Sequence, residues 1–437
     1  MNTIIAIASA IGPGGVAVIR LSGPLSFEIA KQLGGFTPKP RYAHFSSFKD
    51  TTGLMLDQGL LIWFPAPHSY TGEDVLELHT HGGEVIPRVI LQACVALGAR
   101  LAEPGEFTRR AYAHGKLDLT QAEAVADLVS ATSVAAARGA LRSLNGVFSS
   151  SVRNIQDGLT RIRLLIEGGM DFPEEGLDTE TVFFAQTQLN TVLEALHQLF
   201  QEAEKLHPLR AGCRVVLLGA PNVGKSSLLN ALAREELAIV SPFAGTTRDP
   251  IRTQLELRGI HLELIDTAGI RSSEELVEKM GIERSWSEAH SADLVLELKA
   301  PDVDLLGTET DITPALSIDA PTLKVWTKAD LVKPIDRTQD GVWVSAQSGE
   351  GLQALELAIL EHLGWGAQVE PGFLPRERHI SALRTSAHHM QLALSAEREE
   401  FFAEELRLAQ KALDPILGEL ASDDLLGEIF SRFCIGK

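Results

Sequence analysis

Val215-Val216-Leu217-Leu218-Gly219-Ala220-Pro221-Asn222-Val223-Gly224-Lys225-Ser226 passes from an apolar run into the spacing G-x-x-x-x-G-K-S, and then into the helical run Ser227-Leu228-Leu229-Asn230-Ala231-Leu232. Strand, glycine loop and helix in that order form a phosphate cradle. The glycines let the main chain curl so that N–H groups face phosphate oxygens, and the helix N-terminus adds a favourable dipole. Lys225 is then the side chain that reaches the β- and γ-phosphates, and the Ser226 hydroxyl the one that ligates Mg²⁺. A glycine-rich strand-to-helix turn with no ligand is the bland alternative, which the complete motif in context disfavours. On either side, apolar strands at Arg214–Leu218, His261–Ile265, Asp293–Leu298, Leu323–Trp326 and Val342–Val344 alternate with helical stretches. That alternation predicts an α/β unit on a largely parallel sheet.

Four later segments follow in the order a GTPase requires. Gly245-Thr246-Thr247-Arg248-Asp249 offers a threonine for Mg²⁺, and Asp266-Thr267-Ala268-Gly269 follows a strand with an aspartate for a metal-bound water and a glycine N–H for the γ-phosphate. Thr327-Lys328-Ala329-Asp330 resembles the N-K-x-D base-reading motif. A carboxylate at Asp330 accepts two hydrogen bonds from guanine N1 and N2, a donor pair that adenine lacks. Ser345-Ala346-Gln347 resembles the loop over the guanine. Two departures stand out. Thr327 occupies the usual Asn position, which predicts some loss of packing between base loop and phosphate loop. Ile270 stands where many GTPases carry the Gln that orients the attacking water, so hydrolysis needs another polar group and another counter-charge. Asn222 is placed to help hold a monovalent cation beside the β/γ bridge, a role in which a cation replaces an arginine finger. As an ordinary turn residue it would need no ligand.

Outside the α/β unit, residues 1–118 carry short β-like runs (Val16–Arg20, Leu60–Phe64) interleaved with helical stretches such as Val89–Leu97, an α+β pattern. From Leu119 to Leu206 the only proline is Pro173, and Val192, Leu196, Leu199, Ala203 and Leu206 recur at helical spacing. Leu383, Ala387, Met390 and Leu394 repeat the pattern, as do Phe402, Leu406, Ala409 and Leu413. Linkers are expected at Leu206–Leu209 and Gly364–Pro375. The expected architecture is multidomain: an α+β N-terminal domain (1–118), an all-α domain in two parts (119–210 and 367–437), and an α/β P-loop GTPase domain inserted between them (211–366).

Composition narrows the function. The chain has 437 residues, 45% hydrophobic and 22% charged, with a net charge of −19, an ordinary folded mix whose charge argues against gripping nucleic acid over the whole surface. Any RNA contact must come from a local basic patch or from a partner. No apolar run suits a membrane span, and the opening MNTIIAIASAIGPGG lacks the basic cluster of a signal peptide. Cys94, Cys213 and Cys434 are too few for a disulfide framework and lack zinc-ligand spacing. The simplest location is the cytoplasm. His79 and His81 share a strand face but have no evident third metal ligand. Glu73, Asp74 and Glu77 could imitate a catalytic carboxylate pair.

Gly72-Glu73-Asp74-Val75-Leu76-Glu77, Pro104-Gly105-Glu106-Phe107, Lys116-Leu117-Asp118-Leu119, Gln121-Ala122-Glu123-Ala124, Asp171-Phe172-Pro173 and the terminal Phe433-Cys434-Ile435-Gly436-Lys437, together with the GTPase set, carry a likeness over essentially the whole chain. The sequence resembles the tRNA-modification GTPase MnmE (TrmE) family. The resemblance implies a folate-binding, dimerising N-terminal domain and a homodimer that works with an FAD-containing MnmG-type flavoprotein as a heterotetramer. That complex installs an aminomethyl or carboxymethylaminomethyl group at C5 of the wobble uridine of tRNAs, the one-carbon unit coming from a 5-formyl- or 5,10-methylene-type tetrahydrofolate, and tRNA is met mainly through the complex.

Carried over to this sequence, the resemblance places Asn222, the Ser241 and Phe243 carbonyls and Thr246 around K⁺, and Ser226 and Thr247 on Mg²⁺. Glu278 becomes the catalytic residue that orients water, although by itself it reads as a solvated helix charge. The nucleotide pocket extends over Asn222–Ser227, Ser241, Pro242, Phe243, Ala244, Gly245, Thr246, Thr247, Asp266, Thr267, Ala268, Gly269, Thr327, Lys328, Ala329, Asp330, Ser345, Ala346 and Gln347; within the first stretch it includes Val223, Gly224, Lys225 and Ser227. Arg20, Glu77, Lys116 and Lys437 match the folate positions: Arg and Lys can pair carboxylates, and Glu can accept from a pterin. Surface ion pairs are their default reading. Cys434 lies close to the Lys437 ammonium, which would raise its thiolate fraction. The competing functions are a ribosome-assembly or signalling switch without modification activity, and a folate transferase with a vestigial G domain. The N-terminal motifs and the C-terminal tail argue against the first. Lys225, Ser226, Thr247 and Asp330 argue against the second.

Overall fold

The computed structural model describes residues 2–10, 12–170, 179–220, 222–235, 251–258, 260–266, 292–301, 320–337, 339–365, 372–418, 423–431, 433 and 436. The chain forms two compact units. One comprises residues 1–129, 142–199 and 381–437, the other residues 130–141 and 200–380.

In the first unit a six-stranded sheet has the order β3-β4-β5-β2-β1-β6, with β1 Ile4–Ile7, β2 Val16–Ser22, β3 His44–Lys49, β4 Met55–Phe64, β5 Val75–His81 and β6 Arg100–Leu101. Only the β1–β6 pair is parallel. Alternation sends Ile5, Ile19, Leu21, Leu76 and Leu78 to one face, where helices α1 (Ser26–Gly34) and α2 (Val85–Ala96) bury them with Ile29, Leu33, Ile90 and Cys94. On the other face Ile4, Ala6 and Ala102 meet Phe107 of helix α3 (Glu106–Ala113).

Gly105 explains the Pro104–Phe107 motif. It adopts φ +66°, and a Cβ there would lie 2.7 Å from the Phe430 carbonyl oxygen. Left-handed backbone and a close neighbour together demand glycine. The helix Asp423–Ser431 therefore docks directly on the start of α3, where Phe430 and Phe433 pack with Ala122, Tyr112 and Ile429. Tyr112 donates its hydroxyl proton to the Gly418 carbonyl. The tail returns to the first strand, since a Cβ on Gly436 would lie 2.5 Å from the Ile7 carbonyl oxygen. The helices Val147–Met170 and Glu399–Leu417 pack together, with Gln156 bonded to Asp414 (3.0 Å) and Arg163 to Gln410 (2.8 Å). The predicted stripe Phe402, Leu406, Ala409 and Leu413 is buried.

The second unit holds the α/β sheet, ordered β12-β11-β10-β7-β9-β8: β7 Cys213–Gly219, β8 Ile251–Leu257, β9 Ile260–Asp266, β10 Leu294–Lys299, β11 Thr322–Trp326 and β12 Val342–Trp343. All pairs are parallel except β8 with β9. Strand β8 is absent from the sequence-based expectation. The expected linker at Leu206–Leu209 is also corrected: the helix Thr179–Ala211 runs through it, Pro208 included. Proline supplies no N–H to the Glu204 carbonyl four residues back; the neighbouring Lys205 carbonyl accepts from the Trp365 indole N–H at 3.1 Å.

Candidate functional site

The sheet of the second unit sets one edge apart. Gly219 pairs with Leu298, Lys299 with Trp326, Trp326 with Trp343, and Leu217 with Asp266. The carboxyl ends of β7, β9, β10, β11 and β12 thus lie in a row, where open parallel sheets bind their ligands. Each described nucleotide candidate follows one of those ends: Asn222–Ser227 after β7, Asp266 at the end of β9, Thr327–Asp330 after β11 and Ser345–Gln347 after β12.

Asn222 (φ +63°) and Gly224 (φ +100°) are both left-handed, a curl of the kind that gathers main-chain N–H groups into an anion-binding concavity. The helix Lys225–Glu235 begins immediately after. Lys225 is buried, its ammonium donating to the carbonyls of Gly219 and Ala220, the latter at 3.0 Å. Asn222, Ser226 and Ser227 are exposed, and Val223 is buried.

The base loop is tightly built. The Thr327 N–H donates to the Lys299 carbonyl (2.8 Å), and the Ala329 N–H to the Val344 carbonyl (3.0 Å). Asp330 sits in the short 3₁₀ turn Ala329–Leu331, and its Oδ1 accepts from the Ser345 hydroxyl at 2.6 Å. The Ser345 N–H in turn donates to the Glu350 carbonyl (2.9 Å). Ser345 is buried whereas Asp330 is exposed, so the inner serine fixes the carboxylate that solvent reaches.

In the first unit, Arg20 of β2 lies opposite Glu77 of β5. Its Nε and Nη2 donate to Glu77 Oε1 at 2.9 and 2.8 Å, and its guanidinium lies 5.5 Å from the Tyr70 ring centroid. Lys116 is exposed beside the Gly72 turn. Glu73 is a strut: it accepts from Ser22 (2.6 Å) and Arg110 (2.9 Å). Asp74 caps the Ala66 N–H (2.8 Å). Arg110 also donates to Glu106 and to the Asn2 carbonyl, both at 2.9 Å, and Arg100 reaches Glu106 at 2.6 Å. Burial pushes the Glu106 carboxyl up, but hydrogen bonds from Arg100, the Glu103 N–H and Arg110 outweigh it and bring its pKa down to about 2. His81 bonds Asp57 (2.7 Å), and His79 lies 3.5 Å from Glu77. Among the described residues no group of three His, Cys, Asp or Glu could hold a metal. Cys94 and Cys213 are buried free thiols, and burial pushes Cys94 up to about 12, which makes it inert. No described helix is long and apolar enough to cross a membrane.

Residues 3–116 match the family model for the GTP-binding protein TrmE N-terminus, and residues 119–434 match that for the MnmE helical domain. The tRNA modification GTPase MnmE of Bordetella parapertussis is 48% identical, covering 99% of this chain and 99% of its own length. The chain belongs to the MnmE family. The MnmE of Azoarcus sp. is 49% identical over 100% of this chain and 98% of its own. An Aquifex aeolicus Era variant bound to GDP.AlF4- is 26% identical over 41% of this chain and 67% of that one, with a TM-score of 0.28, too low to bear on the fold.

For this MnmE-family chain, Ser241–Thr247, Thr267–Gly269, Glu278, Cys434 and Lys437 lie outside the described residues, as do Ile270 and Asp171–Pro173. The predicted weakness at Thr327 is corrected. Its buried hydroxyl lies within hydrogen-bonding distance of two carbonyls, Val223 in the phosphate loop and Lys299 at 3.1 Å. It thus makes the bridge between the two loops that an Asn would make. Thr327→Val keeps the shape and deletes the donor. The Lys299 carbonyl keeps the Thr327 N–H, so the Val223 carbonyl is the one deprived, at a cost of roughly 1–2 kcal/mol. GDP affinity should fall roughly five- to thirtyfold, and Thr327→Asn should retain it. Calorimetric titration of both variants checks this; full affinity in Thr327→Val would remove the bridge from the account.

Sequence reasoning missed Arg337 and Glu350, which brace the base loop (Arg337 Nη1 to Glu350 Oε1, 2.6 Å). Arg337 acts largely on main-chain carbonyls, which no side-chain motif reveals. It also missed the Glu106–Arg110 pair, for which the four-residue spacing on a helix was the available signal.

Proposed function

We propose that this chain is a potassium-dependent GTP hydrolase that drives wobble-uridine modification of tRNA. The observation that carries the GTPase half is the row of strand ends bearing Lys225, Asp266, Thr327–Asp330 and Ser345. The tRNA half is supported by kinship along the whole chain with proteins named tRNA modification GTPase. In hydrolysis a water oxygen bonds to the γ-phosphorus, the bond to the β-bridging oxygen breaks, and GDP and phosphate leave. Lys225 offsets charge on the β- and γ-oxygens, Asp330 reads guanine and Glu278 orients the water.

The hydroxyls of Ser226 and Thr247 suit Mg²⁺, a hard cation; Ser226 is exposed one residue beyond Lys225. Asn222, the carbonyls of Ser241 and Phe243, and Thr246 would offer oxygens for K⁺, which would supply the charge an arginine finger supplies elsewhere. Arg20, Glu77, Lys116 and Lys437 hold a tetrahydrofolate derivative. Because Arg20 and Glu77 are paired, they act on it as one unit. Cys434 belongs to the tail that serves that site. The working assembly is a homodimer joined by an MnmG-type flavoprotein carrying FAD, in the cytoplasm. The domain division is 1–118, 119–210, 211–366 and 367–437.

The test has two arms. Cells lacking the gene should lose the C5 aminomethyl-type modifications at the wobble uridine, regain them with the wild-type gene and fail to regain them with Glu278→Ala. Purified protein should hydrolyse GTP faster in KCl than in NaCl by at least roughly tenfold, the size of one missing charge contact in a transition state. Unchanged tRNA in the deletion strain removes the modification, and equal rates in the two salts remove the cation.

A further inference from the structure

One side chain ties both base-side loops together. Arg337 Nη2 donates to the Ala329 carbonyl (2.8 Å) and reaches the Val332 carbonyl (3.2 Å), which Nε also approaches at 3.3 Å. These carbonyls bracket the turn that carries Asp330. The other side of the guanidinium engages Glu350, Nη1 to Oε1 at 2.6 Å and Nη2 to Oε2 at 3.2 Å. Glu350 uses its own carbonyl to hold the Ser345 N–H, and Ser345 holds Asp330. The circuit therefore closes: Arg337 grips the turn on one side and, through Glu350 and Ser345, the Asp330 carboxylate on the other.

The setting makes the grip firm. The Arg337 side chain is only 13% exposed, and its guanidinium lies 5.7 Å from the ring centroid of Trp343, which stacks on Trp326 at 5.2 Å. A planar fork on several acceptors, backed by an aromatic face, is a task lysine cannot copy. The Arg337 hydrogen bond holds the Glu350 carboxyl below its usual range, against desolvation and the smaller push of the Asp330 charge.

We propose that Arg337 is a positioning residue for guanine selection, fixing the orientation in which Asp330 meets the base. The proposal rests on the reading of Asp330 as the group that accepts from guanine N1 and the 2-amino group. A loosened Asp330 loses most on the second of these bonds. Inosine nucleotides lack the 2-amino group and should suffer less.

The experiment titrates GDP, IDP and XDP into the full-length wild type, Arg337→Ala, Arg337→Lys, Glu350→Gln and Asp330→Asn. Arg337→Ala should bind GDP roughly tenfold more weakly and IDP only two- to threefold more weakly, the roughly three- to fivefold difference being a part of one hydrogen bond to a charged acceptor, as expected for a bond loosened and not lost. Arg337→Lys should not restore the GDP/IDP ratio, and Glu350→Gln should lower it in the same direction. The defect should appear in KM for GTP rather than in kcat. A wild-type GDP/IDP ratio in Arg337→Ala, whatever its absolute affinities, overturns the proposal. Should that variant fail to fold, an unchanged ratio in Glu350→Gln overturns it instead. Asp330→Asn separates the premise: it should lose GDP and gain XDP, and retained GDP affinity there would reject Asp330 as the base reader.

Discussion

Lys225→Ala is expected to weaken GTP and GDP binding by roughly 2–5 kcal/mol, about thirty- to several-thousandfold. The reason is the position of Lys225 as well as its charge. It opens a helix directly after a left-handed curl and is buried, so its ammonium is held over the loop that would carry the phosphates. A phosphate chain meeting this loop without the lysine keeps the main-chain N–H groups and the helix dipole but loses the one cation built into the strand-to-helix turn. Equilibrium binding of a fluorescent GDP analogue measures the loss. Thermal unfolding of the unliganded variant should stay close to wild type, and a variant that binds within threefold of wild type would take Lys225 out of the phosphate site.

Glu106→Ala is expected to destabilise the first unit by roughly 3–5 kcal/mol, the range for breaking a buried pair from one side. Glu106 is only 2% exposed and holds two arginines and a main-chain N–H. Removing it takes the Glu106 carboxylate from Arg110, leaving Glu73 and the Asn2 carbonyl as its partners. The same carboxylate gives a pH signature. Its folded pKa of about 2 lies below the ordinary 4.5, so its contribution is present above about pH 5 and is lost as the pH falls toward 2. That contribution is on the order of 3 kcal/mol. Urea unfolding at pH 7, 4 and 3 should show the wild type losing stability faster than Glu106→Gln; parallel curves would count against the assignment.

Much of this was legible in the amino-acid sequence. The expected strands Arg214–Leu218, His261–Ile265 and Leu323–Trp326 lie within a residue of their observed limits: Val215–Leu218 is a continuous apolar run, as in a parallel strand buried on both faces, while the other two keep apolar residues dense enough to mark them. Strand β8 escaped for the opposite reason. Ile251-Arg252-Thr253-Gln254-Leu255-Glu256-Leu257 lies at the sheet edge, and its polar residues break the run. Pro208 suggested a break, yet the helix carries on through it; tertiary packing overrode a local preference. The phosphate and base loops were legible because their residues are close in sequence. The struts behind them were not: Thr327 with Val223, and Glu73 with Arg110, join residues far apart along the chain, and such pairings exist only once the fold has formed.

The docking of Phe430 and Phe433 on Ala122 and Gly105 has a consequence for biosynthesis. As the polypeptide leaves the ribosome, the face around Ala122 emerges first and its cover, Leu426 to Phe433, emerges only after the whole α/β segment. An apolar surface waiting through the synthesis of the intervening residues is a target for chaperones and for self-association. Nascent or truncated molecules that stop before Leu426 should be the ones quality control retains, and assembly should wait for residues 426–433 to emerge, not for the folding of the α/β unit.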